Sequence, residues 1–346
     1  MSEKMIEFIN KVRSENALLY QNRIPEATRT NMDEIRYAIL SEDNVQVAND
    51  FIERMLNKLC KSVVVTKRFE NPLKPFKNGT IPLGDTIEEI YNNFLKADPD
   101  GFNGERLFER ALPDTKVIYH RTNLKLQYPI TIDRLKIEKA FTSYAHLEKF
   151  VNDIIAQLYN SAELDEFINM KQLFKSASEK NAIKTIVVSD PLASDADAKK
   201  FIQEVKTYSG MMKYPSAEYN SYLAAQEVDD TPLMTFSRYD EQILILPEAV
   251  NTAVDVTVLA NTFNMSVAEF NKTRKVLVDT IPVANCVGLL VDKNFFQVYD
   301  KYAIVTQDFN AKGVYTNYYL NIEQVMSYSI LTNALAFVTS EEEVGA

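Results

Sequence analysis

The chain has 346 residues, of which 46% are hydrophobic and 11% aromatic, so it can fill a sizeable apolar core. Its 48 acidic and 38 basic residues give a formal net charge of −10, which argues against a nucleic-acid groove as the main surface because phosphate binding requires a basic field. Two cysteines, no leader pattern and no apolar run of membrane-spanning length argue against a disulfide scaffold or a membrane partner and indicate a protein made in a reducing cytosol.

Residues 1–61 are patterned as helices. Apolar side chains recur there at the three-and-four spacing of one helical face, at Ala48, Phe51, Ile52, Met55, Leu56 and Leu59. We therefore expect an amphipathic helical arm ahead of the β-branched run that begins at Val63.

Residues 71–94 combine turn-forming residues with strand-like flanks. The prolines in this segment remove amide donors, so we expect neither a helix nor an inner strand there. The flanking VVVTKRF and TIEEIY predict a long hairpin, with a tip at residues 96–106 and returning strands in TKVIYHRTN and LQYPITI. Twenty extended residues reach roughly 65 Å, against a radius of gyration near ~15 Å for a domain of about 150 residues. We therefore expect the hairpin to extend beyond its own subunit and to find its partners on another copy.

The strongest helix signal lies between residues 145 and 176, which would form about 48 Å of helix. Asn160 followed by Glu163 resembles a capping box, so a bend or two collinear helices remain alternatives to one continuous helix. In each case the apolar stripe must pack on a sheet.

An acidic region follows, with 12 acidic and 6 basic residues between positions 183 and 260. It begins with a strand, a polar loop and a helix, and it contains a strand at QILILP and a helix at VTVLANTF. Strands at residues 288–300 and 314–338 complete the chain, and we expect the last of them to return to the sheet beneath the long helix.

The motifs of enzymes and of ligand sites are missing or defective. The closest match to a phosphate-binding loop has Asp85 where the motif requires lysine, and a carboxylate there would repel phosphate. The calcium-loop template at residues 98–109 has Asn103 in place of its turn glycine. His120 and His146 are the only histidines, too few for a histidine-rich zinc site. We expect no cofactor, no metal and no enzymatic activity.

One basic stretch interrupts the acidic chain, formed by Lys61, Lys67, Arg68, Lys74 and Lys77 against a lone Glu70. Lysines at a strand edge can simply prevent aggregation. Alternatively, this stretch lies on the acidic surface of a neighbouring copy. The sequence leaves both interpretations open.

Several long blocks resemble the major capsid proteins of phi-29-like short-tailed bacteriophages, from about Ala48 to Val338. They are NPLKPFKNGTIPLGDTIEEIY, LPDTKVIYHRTN followed by ITI, IIAQLYNSAELDEFINMK, VDVTVLANTFNM and LVDKNFFQVYD. The resemblance implies an α+β fold of the HK-97 type. Its parts would be an N-terminal arm at 1–61, an E-loop hairpin at 62–132, a P-domain with a long spine helix at 133–182, an A-domain at 183–300, and a return to the P-domain with a C-terminal tail at 301–346.

The resemblance also implies that the protein assembles with itself, as pentamers and hexamers, in the host bacterial cytoplasm. The product would be an icosahedral-type virion head that encloses double-stranded DNA without sequence-specific binding, with scaffolding and portal proteins as partners. The phi-29 protein continues into an immunoglobulin-like domain, whereas this sequence ends soon after Val338 with EEEVGA, so we expect no such domain here. An encapsulin-like shell protein and a cytosolic enzyme of unrecognised type are the alternatives.

Charged residues of the basic stretch and the hairpin are the candidate subunit contacts. They are Arg68, Lys74, Lys77, Asp85, Glu88, Glu89, Arg106 and Arg110.

Overall fold

A computed structural model gives the fold of most of the chain. It describes residues 2–14, 22–40, 69–81, 86–95, 97, 110, 112–133, 139, 144–226, 231–254, 275–310, 312–313 and 315–339. Several predicted elements lie outside these residues: the helical stripe at 48–59, most of the strand at 63–69, the hairpin tip at 96–106 and the helix at 256–263.

The chain divides into two compact units, each built from separated segments. The first comprises Met1–Asn71, Leu124–Glu166 and Asp300–Gln324. The second comprises Pro72–Asn123, Phe167–Tyr299 and Val325–Ala346.

The N-terminal part of the first unit contains two helices, α1 (Ser2–Ser14) and α2 (Met32–Leu40). The chain between them is held by side chains of α1. Asn10 donates to the carbonyl of Ala27 at 2.9 Å and accepts from its amide at 2.7 Å, and Arg13 donates to the carbonyl of Ile24 at 2.7 Å. These helices confirm the helical pattern of the N-terminal part where the structure describes it.

A four-stranded sheet has the order β1-β9-β10-β4. Its strands are β1 (Lys77–Thr80), β4 (Leu124–Asp133), β9 (Phe296–Asn310) and β10 (Tyr315–Tyr328). β10 pairs antiparallel with β4 in unbroken register from Tyr315↔Asp133 to Gln324↔Leu124. Alternate residues at the start of β10, such as Tyr318 and Leu320, are buried, so one face of this part of the strand is covered.

The long helix α3 is continuous from Tyr144 to Glu179, about 54 Å. Two separate collinear helices are therefore wrong, because the helix runs through Asn160 without a break and residues on both sides of it, Leu158 and Phe167, are buried. The helix ends where Asn181 adopts a left-handed φ of 53° and the amide of Ala182 returns to the carbonyl of Ala177 at 2.7 Å.

The second unit contains a mixed five-stranded sheet with the order β5-β11-β8-β6-β7. Its strands are β5 (Lys184–Val187), β6 (Gln242–Pro247), β7 (Lys275–Val278), β8 (Cys286–Asp292) and β11 (Ala334–Val338). Helix α4 (Asp195–Met211), capped by Ser194, packs on it through a core in which Phe201 meets Phe337 edge-on at 5.7 Å. Two short helices complete the described helices of this unit, α5 (Tyr222–Gln226) and α6 (Glu248–Ala253).

The last strand corrects one expectation. β11 does not join the sheet with β9 and β10 but lies between β5 and β8. All five of its residues are buried, and a short apolar run without alternation fits a central strand covered on both faces. Residues 334–338 therefore pair with strands from residues 184–292 and not with β10.

The segment before β2 corrects a second expectation. The chain from Leu73 to Thr80 forms a single 3-10 turn (Lys74–Phe76) and the edge strand β1, so it does not project away from its own subunit. Leu73 and Phe76 are fully buried, and the Phe76 ring packs edge-on against Phe296 at 4.7 Å. Prolines are tolerated next to an edge strand, and the sequence predicted that this segment would not form an inner strand.

Candidate subunit interface

The described part of the predicted hairpin is a separate two-stranded sheet of β2 (Ile87–Asn92) and β3 (Thr115–His120). The strands pair antiparallel from Ile87↔His120 to Asn92↔Thr115. Because side chains alternate across a strand, this register gives the hairpin an inner and an outer face.

The inner face packs on the rest of the second unit. Tyr91 and Ile118 contact a buried cluster formed by Tyr222, Leu233 and Leu331. The Tyr91 hydroxyl also donates to the carbonyl of Met234 at 2.8 Å, and burial raises the pKa of this hydroxyl. Apolar packing and a directed hydrogen bond thus hold the same side chain.

A polar group secures the other end of the inner face. His120 is buried, and its ring lies 3.1 Å from the Glu89 carboxylate and 2.9 Å from the Ser327 hydroxyl. Ser329 donates to the other oxygen of Glu89 at 2.6 Å. Since a carboxylate only accepts, the histidine nitrogen facing it carries a hydrogen.

The outer face carries exposed apolar side chains at its centre. Ile90 and Val117 are directly opposite each other, and they are 56% and 40% exposed. Tyr119 is 59% exposed, and its hydroxyl donates to the Glu88 carboxylate at 3.1 Å, a bond that raises the pKa of the tyrosine. Cross-strand apolar pairs of this kind normally stabilise a sheet by packing against a further layer.

Exposed apolar residues continue past the end of the paired strands. Phe94, Leu95 and Leu112 are all largely exposed, and the Phe94 ring lies 6.4 Å from that of Phe236, which is itself exposed. We call Ile90, Val117, Tyr119, Phe94, Leu95 and Leu112 the outer hairpin surface.

The predicted contact residues are distributed over different surroundings. Glu88 lies on the outer face, whereas Glu89 lies on the inner face and binds groups of its own chain. Lys74 is exposed in the 3-10 turn, Lys77 is half-buried at the start of β1, and Arg110 is exposed. Three others lie outside the described residues: Arg68, Asp85 and Arg106.

Sequence reasoning missed the apolar members of the outer hairpin surface. A signal was present, because TIEEIY places Ile90 beside Tyr91, on opposite faces of one strand. A strand with apolar side chains on both faces requires cover on both, and the described residues of this chain cover only one.

Other site types have no support in the described part of the chain. No three histidine, cysteine, aspartate or glutamate side chains gather there as a metal site would need. None of the described helices combines the length and the apolar character required to cross a bilayer.

Comparison with known proteins places the chain among phage coat proteins. A family described as "Phi29-like phage major capsid protein" matches residues 9–338. The major capsid protein of Bacillus phage PZA is 33% identical over 97% of this chain and 73% of its own length, and that of Bacillus phage GA-1 is 32% identical over 94% and 68%.

Solved structures share the fold at low identity. A chain from the capsid structure of Staphylococcus phage Andhra has a TM-score of 0.65 at 10% identity, covering 81% of this chain and 87% of its own. A chain from the structure of the head fiber and inner core protein gp22 of bacteriophage P68 has a TM-score of 0.59 at 11% identity over the same shares.

Proposed function

Because this chain belongs to the family of Phi29-like phage major capsid proteins, we propose that its copies meet through the outer hairpin surface. The protein is a structural component of the virion that self-assembles into the shell of the phage head, and it is not an enzyme. Its α+β fold resembles that of HK97-type phage capsid proteins. The encapsulin-like and enzymatic alternatives are therefore set aside.

A neighbouring copy is the occupant that suits this surface. Every copy carries the same exposed Ile90–Val117 pair, and a shell places another copy beside each one. Fully covering an aliphatic side chain contributes about 1.5–3 kcal/mol, so each hairpin would add a few kcal/mol per contact. Contacts of that size suffice because a closed shell repeats them many times.

The finer organisation follows the family resemblance. We infer pentamers and hexamers as the units of the shell, with scaffolding and portal proteins as assembly partners in the bacterial cytoplasm. The assignment of an arm, an E-loop, a P-domain and an A-domain is kept with residues 334–338 moved to the A-domain sheet. The charge of −10 supports a shell that encloses double-stranded DNA without binding it tightly.

The substitution Ile90→Lys tests the proposed contact. Ile90 is mostly exposed in the single chain, so the free energy of unfolding of the unassembled protein should change by no more than about 0.5 kcal/mol. Burying a lysine charge against a neighbour is costly, so the yield of shells should fall strongly. Sedimentation measures the yield, and electron microscopy identifies the particles.

Leu192→Lys is the matched control, because Leu192 is 54% exposed and lies outside the hairpin, in the turn before α4. It should leave the yield near that of the parental chain. Shells from Ile90→Lys at the parental yield, or an equal loss from Leu192→Lys, would contradict the proposed contact.

A further inference from the structure

Two asparagines fix the hairpin to the rest of the second unit at opposite ends of its paired region. Asn93 directly follows β2 and Asn123 lies just after β3. The strands are antiparallel, so the two asparagines lie at opposite ends of the six residue pairs from Ile87↔His120 to Asn92↔Thr115. Six residues of extended strand are about 20 Å long, and the two asparagines are therefore about that far apart. Two attachments that far apart determine the direction of the hairpin as well as its position.

Asn123 binds one residue of β10 through both halves of its carboxamide. Its Nδ2 donates to the carbonyl of Met326 at 2.6 Å, and the amide of Met326 donates to its Oδ1 at 2.8 Å. This pair of bonds reproduces the ring formed by two residues of an antiparallel sheet. Met326 is buried, so water could not readily replace the bonds if the carboxamide were removed.

Asn93 makes an equivalent attachment at the other end. Its Nδ2 donates to the carbonyl of Pro232 at 3.0 Å, and its Oδ1 accepts from the amide of Met234 at 3.1 Å. The same Nδ2 donates to the carboxylate of Asp114 at 3.0 Å, and the backbone N–H of Asn93 donates to the backbone carbonyl of Asp114 at 2.9 Å. Asn93 therefore joins both strands of the hairpin to one segment of the unit.

Between these two points the hairpin is held by apolar packing and by hydrogen bonds of Tyr91, Glu89 and His120, none of which pairs a donor and an acceptor of one side chain with the backbone of the unit. Tyr91 and Ile118 pack on an apolar cluster, and apolar packing constrains distance more than angle. A carboxamide is the side-chain group that combines a donor and an acceptor in one plane without a charge, whereas a carboxylate cannot donate. The two asparagines are thus the groups best suited to determine orientation.

We infer that Asn93 and Asn123 are positioning residues that determine the angle at which the hairpin leaves its subunit, and thereby the curvature of the shell. The inference rests on the proposed contact between the hairpin and a neighbouring copy. A displacement of about 1 Å at one attachment, over about 20 Å, turns the hairpin by roughly 3°. Repeated at every subunit contact, such a rotation changes the diameter of the shell or prevents its closure.

The test compares Asn93→Ala and Asn123→Ala with Asn220→Ala in the full chain, under the conditions in which the parental chain forms shells. Asn220 is a matched control, because its side chain binds Leu233, Thr235 and Tyr222, beside the segment that Asn93 binds, and these hydrogen bonds do not involve the hairpin. Electron microscopy measures the distribution of shell diameters, and circular dichroism measures the midpoint of thermal unfolding of the unassembled protein.

We expect the two hairpin variants to assemble but to increase several-fold the fraction of shells that are open or outside the parental diameter. Asn220→Ala should keep the parental distribution of shell diameters, even if its midpoint of thermal unfolding falls as much as that of the hairpin variants. Parental diameters in both hairpin variants, or the same aberrant shells from Asn220→Ala, would overturn the inference.

Asn123→Gln provides a variant that keeps the fold if the alanine variants lose it. Glutamine retains the donor and the acceptor on a side chain roughly 1.5 Å longer, so it changes the angle while preserving the bonds. We expect folded protein and a shifted mean diameter, and an unchanged diameter would count against the inference. Failure of the proposed contact itself is distinguishable, since it would leave the shell yield of Ile90→Lys intact.

Discussion

At the scale of single residues, Gly288 shows how closely the second unit is packed. A Cβ added to this residue of β8 would lie 2.9 Å from a methyl group of Leu246 and 3.4 Å from the ring of Phe201. Both neighbours are fully buried, so neither can move without disturbing the core between the sheet and α4.

We predict that Gly288→Val lowers the free energy of unfolding by about 1–3 kcal/mol, because it overpacks this core. Urea unfolding followed by circular dichroism measures the change. Gly210 in α4 is the comparison, since a Cβ there would meet only the Tyr239 hydroxyl at an ordinary 3.7 Å. Gly210→Ala should be neutral or stabilising by up to about 1 kcal/mol, because alanine favours the helix. Equal losses from both substitutions would contradict the packing argument.

At the scale of elements, the aromatic cluster around Phe296 attaches the chain just before β1 to the rest of the second unit. The Phe296 ring lies 4.7 Å from that of Phe76, 5.1 Å from that of Phe174 and 4.9 Å from that of Phe295. These four rings come from three separate places in the chain, because Phe295 and Phe296 are adjacent. Their packing holds the 3-10 turn and β1 where the sequence predicted a projecting arm.

Phe76→Ala should therefore lower the free energy of unfolding of the unassembled chain by about 3–5 kcal/mol, because it removes a ring that is 1% exposed. Phe94→Ala deletes the same ring at a site that is 53% exposed, and it should change this free energy by less than about 1 kcal/mol. Chemical denaturation of both variants gives the comparison. If residues 71–80 projected into solvent, the two substitutions would have similarly small effects.

The same elements show what the sequence could and could not predict. The long helix, α4 and β6 were predicted because their patterns are local: a stripe at helical spacing, a helical segment after a polar loop, and a short apolar run. The place of Phe76 and the insertion of β11 between β5 and β8 depend on contacts with residues far away in the chain. No local pattern specifies such partners.

The candidate interface was predicted only in part for a related reason. Charged residues of the hairpin are obvious in the sequence, and Glu88 does lie on the outer face. Whether Ile90 or Tyr91 remains exposed depends on which face of the hairpin packs on the rest of the second unit. That face can be identified only from the positions of Leu233 and Leu331 in the folded chain. The anchoring asparagines were equally hidden, because their partners lie more than a hundred residues away in sequence.

At the scale of the whole molecule, charge acts on assembly in two opposing ways. Each copy carries −10, so neighbouring copies repel one another, and salt weakens this repulsion. If the basic stretch lies on the acidic surface of a neighbour, that attraction is weakened by salt as well. The dependence of shell yield on salt therefore reports which contribution dominates.

The double substitution Lys74→Glu with Lys77→Glu separates the two contributions. It changes the charge of each copy by −4, from −10 to −14, at an exposed and a half-buried site of one short segment. We expect a lower shell yield than that of the parental chain at low salt, since a local attraction becomes a repulsion, and a partial recovery at high salt where the Debye length falls to about 3 Å at 1 M. Light scattering follows assembly across the salt series. A yield that matches the parental chain at both extremes would mean that these lysines face solvent in the shell and act only as charges at a strand edge.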